Sequence, residues 1–202
     1  VDADVPRFIE DMSSHPESGV TDRYRRLGLS RRKGTHLKRL LITEGLAREI
    51  HVPLPGGRVT LLEPTADGLA SIGHSRPDPR SGGVVHRFWM SRVSRALAAR
   101  GMEVEFEVPA GNGQAIDIMG TGESGKTAIE IEVSGRRLKD SIEKLARTDA
   151  FRRVVACASS GMVDRARKAV EEMDPTSLVE IEVVHVWALI AAREKETAKR
   201  RK

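Results

Sequence analysis

The chain has 202 residues, 39% of them hydrophobic, which is enough to build one domain or two small ones around apolar cores. Its formal net charge of +5 favours an anionic partner. No apolar run approaches the roughly 20 residues that a transmembrane helix needs, and a single cysteine cannot form an internal disulfide. These features argue against a membrane-spanning or disulfide-built protein and predict a cytoplasmic protein without a membrane partner.

Residues 1–73 predict a small α+β domain. Apolar residues recur at helical spacing in several segments, and two segments of alternating polar and apolar residues flank a Pro-Gly-Gly turn. Ser30 and Thr65 are residue types that cap helix N-termini. The expected order is helix 5–14, helix 21–27, helix 31–44, strand 47–54, strand 58–63 and helix 66–72.

This order resembles a winged helix-turn-helix domain. Between Arg23 and Arg39 the chain has eight Lys or Arg residues and no acidic residue. The resemblance implies that double-stranded DNA is the partner and that the helix from residue 31 enters a major groove. The alternative is a solvated basic helix in a dimerisation or protein-docking module. The candidate DNA-binding residues are Arg31, Arg32, Lys33 and His36 on this helix and Arg58 on the wing.

Two segments predict connections rather than domains. Residues 74–83 are rich in Pro, Gly and Ser and predict a linker, whereas residues 193–202 predict a basic tail. The second domain is therefore expected over residues 84–192. Its expected elements are helix 84–100, strand 102–108, two strands around residues 117 and 130, helix 136–147, strand 153–158, helix 162–173 and a strand that begins at residue 178.

The segment from Gly120 to Thr127 matches the phosphate-binding loop pattern G-x-x-x-x-G-K-[ST]. Such a loop requires a helix directly after it, because the helix N-terminus holds the phosphates. Residues 128–133 instead alternate Ile or Val with Glu, which is the period of a strand. We therefore predict a hairpin turn here. The remaining alternative is a nucleoside triphosphatase that uses Lys126.

Acidic residues lie on both strands of this hairpin. Glu130 and Glu132 share a face, because residues two apart on a strand are separated by about 6.6 Å on the same side. Asp117 is expected beside them on the preceding strand. Carboxylates this close repel one another unless a divalent cation lies between them, and oxygen ligands suit Mg²⁺ or Mn²⁺. The alternative is the solvated face of an ordinary amphipathic hairpin.

The second domain resembles the PD-(D/E)XK nucleases, the restriction-endonuclease-like superfamily. The expected order of helix, three strands, helix, strand, helix, strand is that superfamily's core order. The resemblance implies an α/β domain with a mixed central sheet, after the α+β winged helix. Similar modules of archaea and bacteria occur beside winged helices, sometimes in chains or operons with DNA-translocating ATPases. The segments that carry this resemblance are Val85-His86-Arg87-Phe88-Trp89, Gly101-Met102-Glu103-Val104-Glu105, Ile116-Asp117-Ile118 and Ala128-Ile129-Glu130-Ile131-Glu132.

The resemblance also implies roles for the acidic residues. Asp117 and Glu130 would bind Mg²⁺ or Mn²⁺, and Glu132 would bind or orient the attacking water. The superfamily pattern has Lys where this chain has Glu132, and Lys139 or Lys144 on the following helix could supply that charge. The candidate catalytic residues are therefore Asp117, Glu130, Glu132 and Lys139. Further candidates are Glu105 and Glu107 as ligands, and His86 and Arg87 as phosphate contacts.

Two functional hypotheses follow. The first is a DNA-binding, metal-dependent endonuclease that hydrolyses phosphodiester bonds, with a translocating ATPase as a candidate partner and a homodimer as a candidate assembly. The second is a noncatalytic DNA-binding or assembly module with a degenerate nuclease fold, since Glu132 replaces the usual lysine.

Overall fold

The structure is a computed structural model that describes residues 3–75, 82–173 and 179–191. The predicted tail 193–202, residues 76–81 of the predicted linker and the start of the last predicted strand at residue 178 lie outside these ranges. The chain divides into two compact units, Val1–Phe88 and Trp89–Lys202. Their boundary falls inside a helix, whereas the sequence predicts that the second domain begins with that helix at residue 84.

The first unit is an α+β arrangement in the predicted order. Its strands pair as one antiparallel hairpin, in which Leu54 lies opposite Gly57. Ser30 and Thr65 cap their helices as expected, because each side chain accepts a hydrogen bond from a backbone N–H of the first turn. The elements are α1 Asp4–Ser14, α2 Val20–Arg26, α3 Arg31–Thr43, β1 Ala47–Leu54, β2 Gly57–Pro64 and α4 Ala66–Ala70.

The core of this unit lies where the apolar faces of α1 and α3 meet β2. Phe8, Leu37 and Leu62 are fully buried within one cluster. A buried ion pair joins α1 to α2, because the guanidinium of Arg23 contacts the carboxylate of Asp11. Both side chains lie in the interior, where opposite charges tolerate desolvation only as a pair.

The second unit is built on a mixed sheet, as the sequence predicts. Its described strands form the order β3-β4-β5-β6-β7, antiparallel from β3 to β5 and parallel from β5 to β7. Helices α6 and α7 make the crossovers that parallel neighbours require. The elements are α5 Val84–Ala98, whose residues 84–88 belong to the first unit, and then β3 Glu103–Gly111, β4 Gln114–Gly122, β5 Gly125–Glu132, α6 Leu138–Arg147, β6 Arg152–Cys157, α7 Ser160–Glu171 and β7 Glu182–His185.

The two faces of this sheet are covered by different helices. On one face Met119, Ala128 and Val155 share a buried cluster with residues of α6 and α7. On the other face a Cβ at Gly120 would lie 3.4 Å from Leu97 of α5. Adjacent residues of a strand point to opposite faces. Helices α6 and α7 therefore cover the face to which Met119 points, and α5 covers the face to which Gly120 points.

No helix in the described part of the chain is long and apolar enough to cross a membrane.

Candidate functional site

The segment that matches a phosphate-binding loop is a hairpin turn, as predicted. Gly122 pairs with Gly125 across the turn, and Gly120 pairs with Thr127 along the ladder. Strand β5 follows directly, and the next helix begins only at Leu138. The helix N-terminus that would hold a nucleotide phosphate in such a loop is therefore absent from this turn.

Asp117 and Glu130 lie side by side where β4 and β5 separate. The backbone ladder between these strands ends with Ile118 opposite Ile129. Just beyond, the backbone N–H of Asp117 donates to Oε1 of Glu130 at 3.0 Å, and the N–H of Ile131 donates to Oδ2 of Asp117 at 2.8 Å. Each carboxylate thus satisfies a backbone group of the opposite strand, which fixes both side chains.

The other neighbour of β4 is also irregular at this point. In β3, Phe106 lies opposite Ile118 and Val108 lies opposite Ile116, and Glu107 between them has φ of 50°. A residue other than glycine held in this region costs on the order of 1–3 kcal/mol, and such residues cluster at functional sites. Glu105 and Glu107 are exposed, whereas Glu130 and Glu132 are buried.

A lysine from α6 completes the contacts of Glu130. The Nζ atom of Lys144 lies 2.6 Å from Oε2 of Glu130 and donates to the carbonyl oxygen of Ala115 at 2.5 Å. The sequence predicts that Lys139 or Lys144 replaces the lysine that the superfamily has at position 132. Of these two, Lys144 is the one that contacts Glu130. Lys139, which the sequence favoured, is exposed in the first turn of α6. Leu138, Ser141, Ile142 and Leu145 form the buried side of α6, and the two lysines lie on opposite flanks of it. Lys144 lies on the flank that faces Ala115 and Glu130.

Glu132 is buried beside different partners. Its side chain is 6% exposed, and Oε1 accepts a hydrogen bond of 2.7 Å from the hydroxyl of Ser141. Cys157 lies opposite Glu132 in the β5–β6 register. Burial, aided by the charge of Glu132, raises the pKa of the Cys157 thiol to about 12. That thiol therefore remains protonated at neutral pH and cannot act as a nucleophile.

The environment of Glu130 alters its acidity. Its side chain is 2% exposed. Burial raises the pKa of this carboxyl from 4.5 to about 7, and the nearby charge of Asp117 adds to the rise, while Lys144 opposes it. Near neutral pH this carboxyl is therefore poised between a protonated form and a charged form stabilised by Lys144.

The donor chemistry of this cluster suits a hard cation, but its present contacts are made within the protein. Asp117 and Glu130 supply carboxylate oxygens, which Mg²⁺ and Mn²⁺ prefer. Lys144 and backbone N–H groups already contact those oxygens, and Glu132 is held by Ser141. Within residues 3–75, 82–173 and 179–191, no group of three or more His, Cys, Asp or Glu residues is arranged to hold a metal ion. A cation at Asp117 and Glu130 would therefore have to displace Lys144.

The predicted DNA-binding residues of α3 fall on different sides of the helix. Gly34, Leu37 and Leu41 are buried, so Arg32 and His36 lie on the opposite, exposed side. Lys33 lies on a flank, where its Nζ forms an ion pair with Asp4 of α1. Arg31 is exposed on the other flank, and Arg58 is exposed at the β1–β2 hairpin.

Two residues of interest were not predicted from the sequence. Arg39 is exposed and continues the outward side of α3 after Arg32 and His36, at the spacing i, i+4, i+7. A helical projection of residues 31–43 finds it. Ser141 is a buried polar residue on the apolar side of α6, and that position is itself the signal that it has a polar partner.

His86 and Arg87, proposed as phosphate contacts, lie on α5 within the first unit and are half-buried.

Comparisons with known proteins give no relative for this chain. No protein-family model, no curated protein and no solved structure matches it. What the chain does is therefore inferred from its residues, their contacts and their charges.

Proposed function

We propose that this chain is a DNA-binding protein whose second unit is a restriction-endonuclease-like domain that hydrolyses phosphodiester bonds with Mg²⁺ or Mn²⁺. One observation carries the proposal. The carboxylates of Asp117 and Glu130 each accept a backbone hydrogen bond from the opposite strand at the point where β4 and β5 separate. Lys144 forms an ion pair with Glu130 at 2.6 Å. Two acids and a lysine gathered at one break in a sheet are the residue types that phosphodiester hydrolysis needs.

The roles follow from the contacts. Asp117 and Glu130 would hold the cation, which when bound supplies positive charge to the scissile phosphate. Lys144 places its Nζ atom beside Glu130 and, once displaced from it, would contact a phosphate oxygen or the attacking water. Glu132, fixed by Ser141, places a further carboxyl group at the end of β5.

The first unit supports the DNA-binding part of the proposal. Three helices followed by an antiparallel hairpin suit a winged helix that places α3 in a major groove. The outward side of α3 presents Arg32, His36 and Arg39, and Arg58 is exposed at the hairpin. Cationic side chains on one surface suit contacts to phosphates, with one or two available to contact bases.

A noncatalytic DNA-binding or assembly module is the second candidate, and specific contacts favour it. Glu130 is paired with Lys144 and Glu132 with Ser141, so both of these buried acids have partners without a metal ion. In addition, Glu132 occupies the position at which the nuclease superfamily pattern has lysine. In this case the domain would retain the fold and hold DNA or a partner without cleaving it.

Cleavage assays separate the two candidates. The full chain is incubated with supercoiled plasmid in Mg²⁺, Mn²⁺ or EDTA, together with Asp117→Asn and Lys144→Ala. We expect metal-dependent nicking that each substitution reduces by about 100-fold or more, since about 2.7 kcal/mol of transition-state stabilisation would be lost. Glu143→Gln is the control, because Glu143 is an exposed acid of α6 whose ion pair with Arg147 lies on the surface. Wild-type protein that binds DNA but never cleaves it with either metal would establish the second candidate.

A further inference from the structure

A basic depression lies on the second unit at the loop that follows β5. It is open to solvent and has a volume of about 580 Å³. Five cationic and two acidic side chains line it, so its charge is predominantly positive. Its charged residues are Arg136, Arg137, Lys139 and Asp140 from the loop after β5 and the start of α6, and Arg165, Lys168 and Glu172 from α7 and its C-terminal end.

The fold builds this depression by bringing the loop against α7. Gly135 has φ of 70°, a conformation that favours glycine. A Cβ at this position would lie 3.0 Å from Sδ of Met162 and 3.2 Å from Nη2 of Arg165. The turn therefore approaches α7 closely, and the guanidinium of Arg165 lies beside its backbone.

Most of the positive charge in the depression is uncompensated. Arg136, Arg137, Lys139 and Arg165 are exposed, and within the described ranges none of them takes part in an ion pair. Lys168 has only a long contact of 3.8 Å to Glu172. Cations held this close repel one another, and a bound anion relieves that repulsion. Helix α6 begins at Leu138, which lines the depression, and the partial positive charge of its N-terminus adds to the positive potential.

The depression lies next to one end of the acidic cluster. Glu132 is the last residue of β5, and the lining begins at Gly135 in the loop that follows. Ser141, which binds Glu132, follows the lining residue Asp140 on α6. A polyanion seated on the basic residues would therefore pass beside the end of β5.

We infer that this basic depression binds the phosphodiester backbone of the DNA that the second unit acts on, an inference that rests on the proposed function. The cations come from a loop and two helices and spread over an open surface, so they suit several phosphates in a row better than one small anion. Lys139, which the sequence assigned to catalysis, would have its role here as a phosphate contact.

Hydrogen–deuterium exchange on the full chain locates the contact. The probe is a duplex of about 30 base pairs in EDTA, so that neither a metal ion nor cleavage takes part. We expect the duplex to slow exchange in peptides that cover 135–140 and 160–172, in addition to any protection of α3. Protection confined to residues 31–43 would overturn the inference. Protection of 135–140 and 160–172 without any cleavage in Mg²⁺ would support it while contradicting the catalytic proposal, so the two fail separately.

A matched pair of charge reversals tests the residues. Arg165→Glu on α7 should raise the Kd for the duplex by on the order of tenfold near 0.1 M salt and reduce the log–log salt slope by about 0.9 or more. Arg95→Glu makes the same change at an exposed arginine of α5, on the opposite face of the sheet, and should leave Kd within about twofold. Thermal melting of both variants checks that the fold is kept. Equal effects of the two reversals would overturn the inference, because only net charge would then matter.

Discussion

At the scale of single residues, the chemistry of the second unit is concentrated in Glu130. This carboxyl is buried, accepts a backbone hydrogen bond from Asp117 and is ion-paired with Lys144. Its pKa near 7 means that small changes in its surroundings decide whether it is charged. If the proposed cation binds here, it would therefore compete with a proton and with Lys144 for the same carboxylate.

The first prediction concerns the pH dependence of stability in EDTA. The pKa of Glu130 is raised on folding from 4.5 to about 7, so the folded state binds its proton more tightly than the unfolded chain does. Its contribution to stability is therefore complete below about pH 4.5 and is lost as the pH rises through about 7. The full loss is on the order of 3 kcal/mol. Urea unfolding at pH 5, 6, 7 and 8 should show wild type losing stability relative to Glu130→Gln across this range.

Glu143→Gln serves as the control for this experiment, because it makes the same chemical change at a side chain that is 59% exposed on the surface of α6. Parallel curves for wild type and Glu130→Gln would show that the folded protein does not raise the pKa of Glu130.

At the scale of elements, α3 is a helix with two distinct sides. Its inner side includes Gly34, and a Cβ there would lie 2.5 Å from the ring of Tyr24 on α2. Glycine at this position lets α2 and α3 approach closely, and that approach sets the direction of the outer side. The outer side carries Arg32, His36 and Arg39.

Gly34→Ala is predicted to destabilise the first unit. In an exposed helix interior this change usually gains up to about 1 kcal/mol, because alanine is the better helix former. Here the added methyl group collides with Tyr24, and overpacking typically costs about 1–3 kcal/mol. Gly161→Ala in α7 is the matched control, since a Cβ there meets nothing within 4 Å. Denaturant unfolding should show loss of stability for the first variant and no loss for the second. Equal stability of both would mean that Tyr24 can move aside freely.

A second prediction at this scale concerns the outer side of α3. Arg32→Ala with Arg39→Ala should weaken duplex binding and lower the log–log salt slope by about 0.9 for each phosphate contact removed. The control is Arg7→Ala with Arg25→Ala, which removes two exposed arginines that pair with acids on α1 and α2. Fluorescence anisotropy over a series of salt concentrations measures both. If the two double variants behave alike, α3 is not the DNA-contacting helix.

At the scale of the whole molecule, the order of the elements could be predicted and the contacts of the site could not. Period-two alternation in β5 and glycines at the turn are local signals, so the hairpin before Glu130 was predicted correctly. The choice between Lys139 and Lys144 depends on how α6 rotates against the sheet, which is a tertiary property. The pairing of Lys33 with Asp4 likewise joins residues 29 positions apart, and no local pattern indicates it.

We propose that Asp117 and Glu130 form a functional cation site in the second unit. The most direct test is the melting temperature of the full chain at pH 8 during titration with Mn²⁺. A ligand that binds only the folded state adds about 2.7 kcal/mol at 100 times its Kd, so we predict that the melting temperature of the wild type rises by several degrees. The rise should disappear in Asp117→Asn and persist in Glu143→Gln. A wild-type melting temperature that does not respond to Mn²⁺, or an equal rise in Asp117→Asn, would contradict the claim.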